Sequence, residues 1–426
     1  MQSLILPIAA LLFSVALLQT GSGLQGTLLP VRAEIEGFST FSVGLLGSTY
    51  YLGYVAGCVF GSQLVSKVGH IRVFTAMAAI ASATPLTHGL LLIPVPWWLF
   101  RVVTGFCFAI LFMVIESWLN ERSTRENRGS VLGVYLVINL TVMTLGQMLL
   151  TLFDPNKFVL FAITSMLISL AAVPVALSSS QAPAPIERVK INLRRVFFVS
   201  PVGFFGCFIV GATNGAFWSL TPSFASANAL GVSGIAILMS VTVLAGAAGQ
   251  LPIGKMSDRV DRRKIILITS VIAACVGIFL WWRGESTDYA LFILAAAWGF
   301  FAFPMYGLSI AHANDHAAAD QFVEVSATLL LVFAVGAVVG PILAASLMTQ
   351  FHASYLFAFT AVLHFLLALF VVWRMKLKSA PPMEEHVRYI DALEASQTVS
   401  STFDAEVQKE LVNAVKDEAE KGKESE

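Results

Sequence analysis

The sequence predicts an all-α polytopic membrane protein of twelve transmembrane helices in two six-helix halves. Three observations predict it. Apolar residues make up 57% of the 426 residues and charged residues 12%, with a mean hydropathy of +0.79, whereas a soluble domain carries about 25% charge. A helix needs about 20 apolar residues to cross the hydrocarbon core, and twelve stretches suit: 4–29, 41–63, 73–93, 97–119, 130–152, 158–177, 201–224, 232–254, 264–282, 288–312, 322–348 and 353–375. Finally, one short loop pattern occurs twice, about half a chain apart and each time between two apolar stretches: SQLVSKVGHIR at 62–72 and GKMSDRVDRRK at 254–264.

Taken in chain order, the first stretch has no basic leader and no small-residue cleavage site, so it is expected to remain as a span and not to be removed as a signal peptide. Sidedness follows from Lys and Arg in short loops. One set of loops holds Lys67, Arg72, Arg122, Arg125, Arg128, Arg188, Lys190, Arg194, Arg195, Lys255, Arg259, Arg262, Arg263 and Lys264, and the other only Arg32, Lys157 and Arg283. The first set is expected to be cytoplasmic, with both termini.

Gly53, Gly57 and Gly61 in the second span, and Gly336 and Gly340 in the eleventh, recur at four-residue spacing. Such small-residue seams let helix backbones approach closely in lipid, either as static packing or as sliding surfaces. The Gly340-Pro341 step predicts a bend. Residues 1–177 form the first half, and 178–200, rich in Ser, Pro and basic residues, read as a cytoplasmic linker. Residues 201–376 form the second half, and 377–426 an acidic tail expected to be solvated. Within the tail, Phe403, Val407, Leu411 and Val415 suggest one short amphipathic helix. Cys58, Cys107, Cys207 and Cys275 lie in apolar spans without metal-ligand spacing and read as buried free thiols. Trp97, Trp98, Trp281 and Trp282 read as interface anchors.

The repeated loop resembles the signature of the major facilitator superfamily, from about Leu4 to Lys376. The second copy fits at Gly254, Met256, Ser257, Asp258, Arg259, Arg262 and Arg263, with Asp261 replacing a glycine; the first keeps Leu64, Lys67, Gly69 and Arg72, with Ser62 and Ser66 replacing glycine and aspartate. Further matches run from Leu29-Pro30 to Gly57 and through Arg101 and Gly105. The GAVVGP stretch lies in the eleventh span and not in the fifth, where drug antiporters of the family carry it, and ESWLNER from Glu116 and HANDH from His312 look like the YcaD-type branch. The resemblance implies nested repeats, alternating access, and a cytoplasmic latch in which Asp258 with Arg259, Arg262 or Arg263 holds the outward-open state. Ser66, Lys67 and Arg72 would form a weaker first-half counterpart.

Ionisable groups inside a membrane are costly and invite functional readings. Arg101 is a candidate for binding an anionic substrate, or for snorkelling to headgroups. Glu116 and Glu324 are candidates for proton coupling; for Glu116 the alternative is a salt bridge to Arg122, Arg125 or Arg128. His312, Asp315 and His316 suggest either a metal pair or, the preferred reading, part of the cytoplasmic gate. Candidate cavity residues near mid-membrane are Gln19, Gln25, Asn139, Gln147, Asn214, Trp218, Trp298 and Tyr306.

Without a P-loop, a nucleophile elbow or HExxH, neither an ATP-driven pump nor a membrane enzyme is expected. No cofactor, metal or nucleic acid is expected. The expected function is secondary active transport of a small organic solute, neutral or anionic, across a bacterial inner membrane, coupled to a proton or to a substrate gradient. The chain is expected to act as a monomer among lipids. The alternative is a transporter-like sensor that signals through its tail.

Overall fold

The computed structural model describes residues 9–121, 128–177, 191–283, 289–318, 321–377, 387–389 and 391–392. Its long helices are α1 (Ala9–Ile35), α2 (Thr40–Val68), α3 (His70–Leu90), α4 (Pro94–Glu121), α5 (Arg128–Leu149), α6 (Val159–Ala176), α7 (Pro201–Ala227), α8 (Val232–Ser257), α9 (Arg262–Trp282), α10 (Tyr289–Asn314), α11 (Phe322–Gln350) and α12 (Tyr355–Leu377). Among the described residues, ten stretches are long and apolar enough to cross a membrane, and neither α1 nor α5 supplies one of them. α1 carries a polar load of Gln19, Thr20, Ser22, Gln25, Thr27 and Arg32, and of α5 the described stretch Ile138–Leu149 is apolar but shorter. A short linker helix, Leu193–Val199, precedes α7, with Asn192 capping its N-terminus through Arg195 N–H.

α11 stays helical through Pro341, and α10 is interrupted between Ala302 and Met305, at Phe303-Pro304. Pro304 opens the second piece of α10, where a missing N–H leaves no helical bond unmade. α1 likewise continues through Pro30, six residues past the predicted end at 29.

The two glycine seams are internal packing. A Cβ on Gly53 would lie 1.9 Å from Val102 O, and one on Gly105 1.9 Å from Tyr50 O, so α2 and α4 touch backbone to backbone. Gly211 and Gly336 bring α7 and α11 together in the same way, against Phe333 O and Phe208 O. The first six helices meet the last six at other positions. Gly44 faces Pro341 and Ala345, Gly47 faces Ser219 Oγ, and Ser240 Oγ donates to Gln147 Oε1 at 3.2 Å. All three approaches lie toward the end of the bundle opposite the two signature loops. The apolar cores agree: one lies within the first six helices, around Phe74, Phe108 and Leu111, and the other fills the last six and reaches Leu28, Val43 and Leu46 at that same opposite end.

Several surface expectations change. Trp97 is fully buried, its Nε1 donating to Leu91 O at 2.6 Å, and Trp98 donates to Ser42 O; Trp281 and Trp282 are exposed, as anchors would be. All four cysteines are free, but Cys275 is exposed where a buried thiol was expected. The tail is not wholly solvated: Tyr389 and Ala392 are buried against the bundle. The expected helix around Phe403 to Val415 lies outside the described residues.

Candidate functional site

A cavity of about 230 Å³ opens among α1, α2, α4, α5 and α7. Ser22, Gln25, Gly26, Leu29 and Pro30 line it from α1, and Val43, Leu46, Gly47, Tyr50 and Tyr51 from α2. Arg101 and Phe108 of α4, Met143 of α5 and Trp218 and Ser219 of α7 complete it. Every lining residue outside α7 belongs to the first six helices, so the cavity is built on them, with Trp218 and Ser219 of α7 forming one wall.

Arg101 sits seven residues past the start of α4, in register with the glycine seam that lets α2 approach. Its Nε donates to Leu46 O at 3.3 Å, and its guanidinium lies 4.2 Å from the centroid of the Tyr50 ring. A cation over an aromatic face is attracted by the ring quadrupole. Among the described lining residues there is no Asp or Glu, so the positive charge has only a carbonyl, a π face and the cavity itself before it. The side chain thus turns toward α2 and the cavity.

Of the predicted cavity residues, Gln25, Arg101 and Trp218 line the space. Gln25 is buried with its Nε2 unpaired. The others lie elsewhere. Gln147 bonds Ser240 between α5 and α8, and Trp298 is buried in the second core, its ring 5.3 Å from Phe217. Tyr306 packs on Phe333 in a tilted pair, Asn214 is buried with Oδ1 unpaired, and Asn139 joins Tyr135. Gln19 is half-buried on α1 outside the lining. Residue-type reasoning missed Ser22, Tyr50, Met143 and Ser219. The signal available for Tyr50 was its position three residues before Gly53, on the seam that brings Arg101 close.

Glu116 lies farther along α4, buried, and accepts from Tyr135 OH at 3.3 Å while its second oxygen is unpaired. Among the described residues no cation pairs with it; the side chains of Arg122, Arg125 and Arg128 lie outside them. At 1.5 Å per residue, Glu116 and Arg101 are roughly 22 Å apart along the helix. Glu324 is placed differently, in the first turn of α11, where Arg195 of the linker helix approaches its Oε2 at 3.4 Å.

At the signature-loop end the two copies diverge. Gly69, in the first, has φ +95°, a backbone state that favours glycine. The matching Asp261 has φ −49° and instead caps α9, accepting Arg263 N at 3.0 Å and the Arg263 guanidinium at 2.9 and 3.1 Å. Burial alone would raise the Asp261 carboxyl, but the Arg263 hydrogen bonds outweigh it and hold it below its ordinary value. Ser66, Lys67 and Arg72 are exposed, and Ser66 Oγ donates to Gln63 O in its own turn. Arg259 is exposed as well.

Arg262 is the centre of the second copy. It is 1% exposed, its Nε donates to Asp315 Oδ2 at 2.9 Å, its Nη1 to Ser257 Oγ at 3.1 Å, and its Nη2 stands 3.4 Å from Asp258 Oδ1. Asp258 was expected to pair with Arg259, Arg262 or Arg263; Arg262 reaches it, while Arg263 is taken by Asp261. His316 Nδ1 lies 2.9 Å from His312 O at the end of α10, and Asp315 pairs with Arg262.

A family model for the Major Facilitator Superfamily matches residues 11–242 and 203–390. The chain belongs to the Major Facilitator Superfamily. It is therefore a multi-pass membrane transporter of a secondary-transporter family, and not an enzyme. It is similar to an uncharacterized MFS-type transporter, YcaD, of Escherichia fergusonii, 27% identical over 88% of this chain and 97% of that one. An uncharacterized MFS-type transporter of an Enterobacter strain is 28% identical over 86% and 95% of the two chains. Among solved structures, a variant of the nucleoside transporter NupG matches with TM-score 0.76 at 13% identity, over 86% of this chain and 99% of that one. A bacterial homologue of the lysosomal transporter Spinster, inward-facing and occupied, matches with TM-score 0.72 at 15% identity, over 89% and 97%. At such identities these structures establish the shared fold of this superfamily member.

Proposed function

We propose that this superfamily member moves a small organic anion by alternating access, with two six-helix halves rocking about the α1–α2–α4–α7 cavity, α1 and α5 completing a set of twelve spans, and both termini cytoplasmic. The observation that carries the substrate class is the Arg101 guanidinium, held over Tyr50 in a cavity whose described lining has no carboxylate. A cation in low dielectric gains most from an anionic ligand that it can hold by paired hydrogen bonds. The volume, below the roughly 300–1,000 Å³ of drug-sized sites, favours a solute of metabolite size. Gln25, with an unpaired donor, and Ser22 and Ser219 offer neutral hydrogen bonds to the rest of it.

Glu116 is the proton-coupling candidate that the geometry supports better. It is buried beside a phenol without a described cation, whereas Glu324 pairs with Arg195 at a helix end and serves to tie the linker to α11. Coupling between Glu116 and Arg101 over that length of α4 acts through the helix and not by direct contact.

The test is a thermal-shift series on purified protein with matched carboxylates, phosphates and neutral analogues at two pH values, since a ligand that binds the folded state raises its apparent stability. Stabilisation by anions that disappears in Arg101→Gln is the expected result. If neutral solutes stabilise the protein equally in the parent and in Arg101→Gln, the anion reading is wrong. The sensor alternative locates function in the tail, so removal of residues after Pro381 that leaves the protein's cellular function intact counts against it, whereas loss of that function with any solute uptake preserved supports it.

A further inference from the structure

The second signature loop is already occupied, and its occupant is the chain's own tail. Beyond α12, Tyr389 inserts its ring between α8 and α10, where Gly254 and Gly307 leave room for it: a Cβ on Gly254 would lie 2.3 Å from the ring, and one on Gly307 2.6 Å from the hydroxyl oxygen. The hydroxyl donates to Gln250 Oε1 at 2.5 Å and lies 3.4 Å from Pro304 O, at the break in α10. The tail backbone meets the loop's charges as well. Tyr389 N donates to Asp258 Oδ1 at 2.7 Å, Val387 N donates to Asp315 Oδ1 at 3.0 Å, and Arg262 Nη2 donates to Val387 O at 2.6 Å. All three bonds involve an ionised group, which makes them stronger than neutral ones. Burial pushes the Tyr389 hydroxyl up from its ordinary value, so it remains a donor.

Asp258 is the carboxylate that the signature motif offers for closing this end of the molecule. In the arrangement seen here the close approaches between the two sets of helices lie at the other end, and Ser66, Lys67 and Arg72 stand exposed. We propose that the tail segment of residues 387–389 and 391–392 is an internal ligand for a socket built from Gly254, Gly307, Gln250 and Pro304, and that this ligand occupies Asp258 and thereby opposes closure of the signature-loop end. The tail is then a brake on the cycle, released when Tyr389 leaves its socket. This rests on the alternating-access reading above but not on the anionic substrate, whose binding test it leaves untouched.

The experiment uses the full chain in lipid nanodiscs. Hydrogen exchange of the tail peptide reports docking; spin labels at Val68→Cys and Val260→Cys, exposed positions in the two signature loops, report the width of that end after the four native cysteines are replaced by serine. Gly307→Ala ejects the tail by filling the socket without touching the tail, and Tyr389→Ala removes the plug without touching the socket. Amides of 387–392 should exchange at least about tenfold slower than free peptide in the parent and lose that protection in both variants. The ratio of short to long label distances should rise about tenfold in both, a shift on the scale of losing one charged hydrogen-bond set. Tail amides that exchange at the free-peptide rate in the parent overturn the docking. Protected amides with a distance distribution unchanged by both variants make the segment a static clip and overturn the brake. Agreement between two variants on different elements excludes misfolding of either as the cause.

Discussion

Arg101 concentrates the chemistry of the cavity in one side chain. A hydrogen bond from a charged group contributes about 1.5–3 kcal/mol, so Arg101→Gln should weaken an anion about ten- to a hundred-fold, read as a shift of the binding midpoint in a calorimetric titration. Arg101→Lys should recover part of it, because the charge returns while the planar fork and its stacking on Tyr50 do not. Asp261 makes a separate prediction. Its folded carboxyl is held below the ordinary value by Arg263, so its contribution to stability is present above the unfolded value and lost as pH falls through the folded one. Asp261→Asn should therefore lower the melting temperature by a constant amount between about pH 5 and 7, and the difference should shrink below about pH 4; a difference that grows on acidification would contradict it.

Between helices, close backbone approach sets the geometry that the side chains use. Arg101 meets Tyr50 because Gly53 and Gly105 let α2 and α4 touch, and a side chain at Gly53 would have to displace the Val102 carbonyl. Gly53→Leu is expected to cost at least about 1–3 kcal/mol as overpacking and to loosen the Arg101 site. Gly26→Ala, where an added Cβ meets nothing within 4 Å, should leave the melting temperature unchanged or higher, which separates crowding from the general effect of replacing glycine. The four-residue glycine spacing was legible in the sequence; which helices it joins was not. Gly44 and Gly47, off that strict spacing, turned out to face the opposite set of helices, while the conspicuous Gly336 and Gly340 pack within their own.

For the whole molecule, the placement of Arg101 and Glu116 at two depths of α4 gives the alternating-access reading its clearest consequence. In proteoliposomes, Glu116→Gln should abolish accumulation driven by a pH gradient while leaving solute exchange across an equilibrated membrane within about twofold of the parent, because a step that no longer moves a proton is still open to solute-loaded rocking. Loss of both activities would make Glu116 a structural residue. The signature-loop end carries the second consequence. Arg262 holds Asp315, Ser257 and the tail carbonyl of Val387 at once, so Arg262→Ala strands a buried carboxylate and should destabilise the protein by about 3–5 kcal/mol, more than Arg259→Ala, whose side chain is exposed. Unfolding in a fluorescent thiol assay compares the two directly.

The membrane class, the position of the helices, the signature loops and the family are determined by the sequence alone, because hydrophobic run length and the charge and glycine pattern of short loops are local properties of the chain. It also marked Arg101, Glu116, Asp258 and Asp315, since an ionisable group in or beside an apolar span stands out without any knowledge of its neighbours. Their partners were decided by the tertiary structure. Tyr50 under Arg101, Tyr135 on Glu116, and Tyr389 reaching back 131 residues to Asp258 are contacts between different elements of the chain. No periodicity encodes such pairings. They follow from which helix faces meet once the bundle closes, and a polar atom in a dry interior must then take whichever partner lies within hydrogen-bond reach.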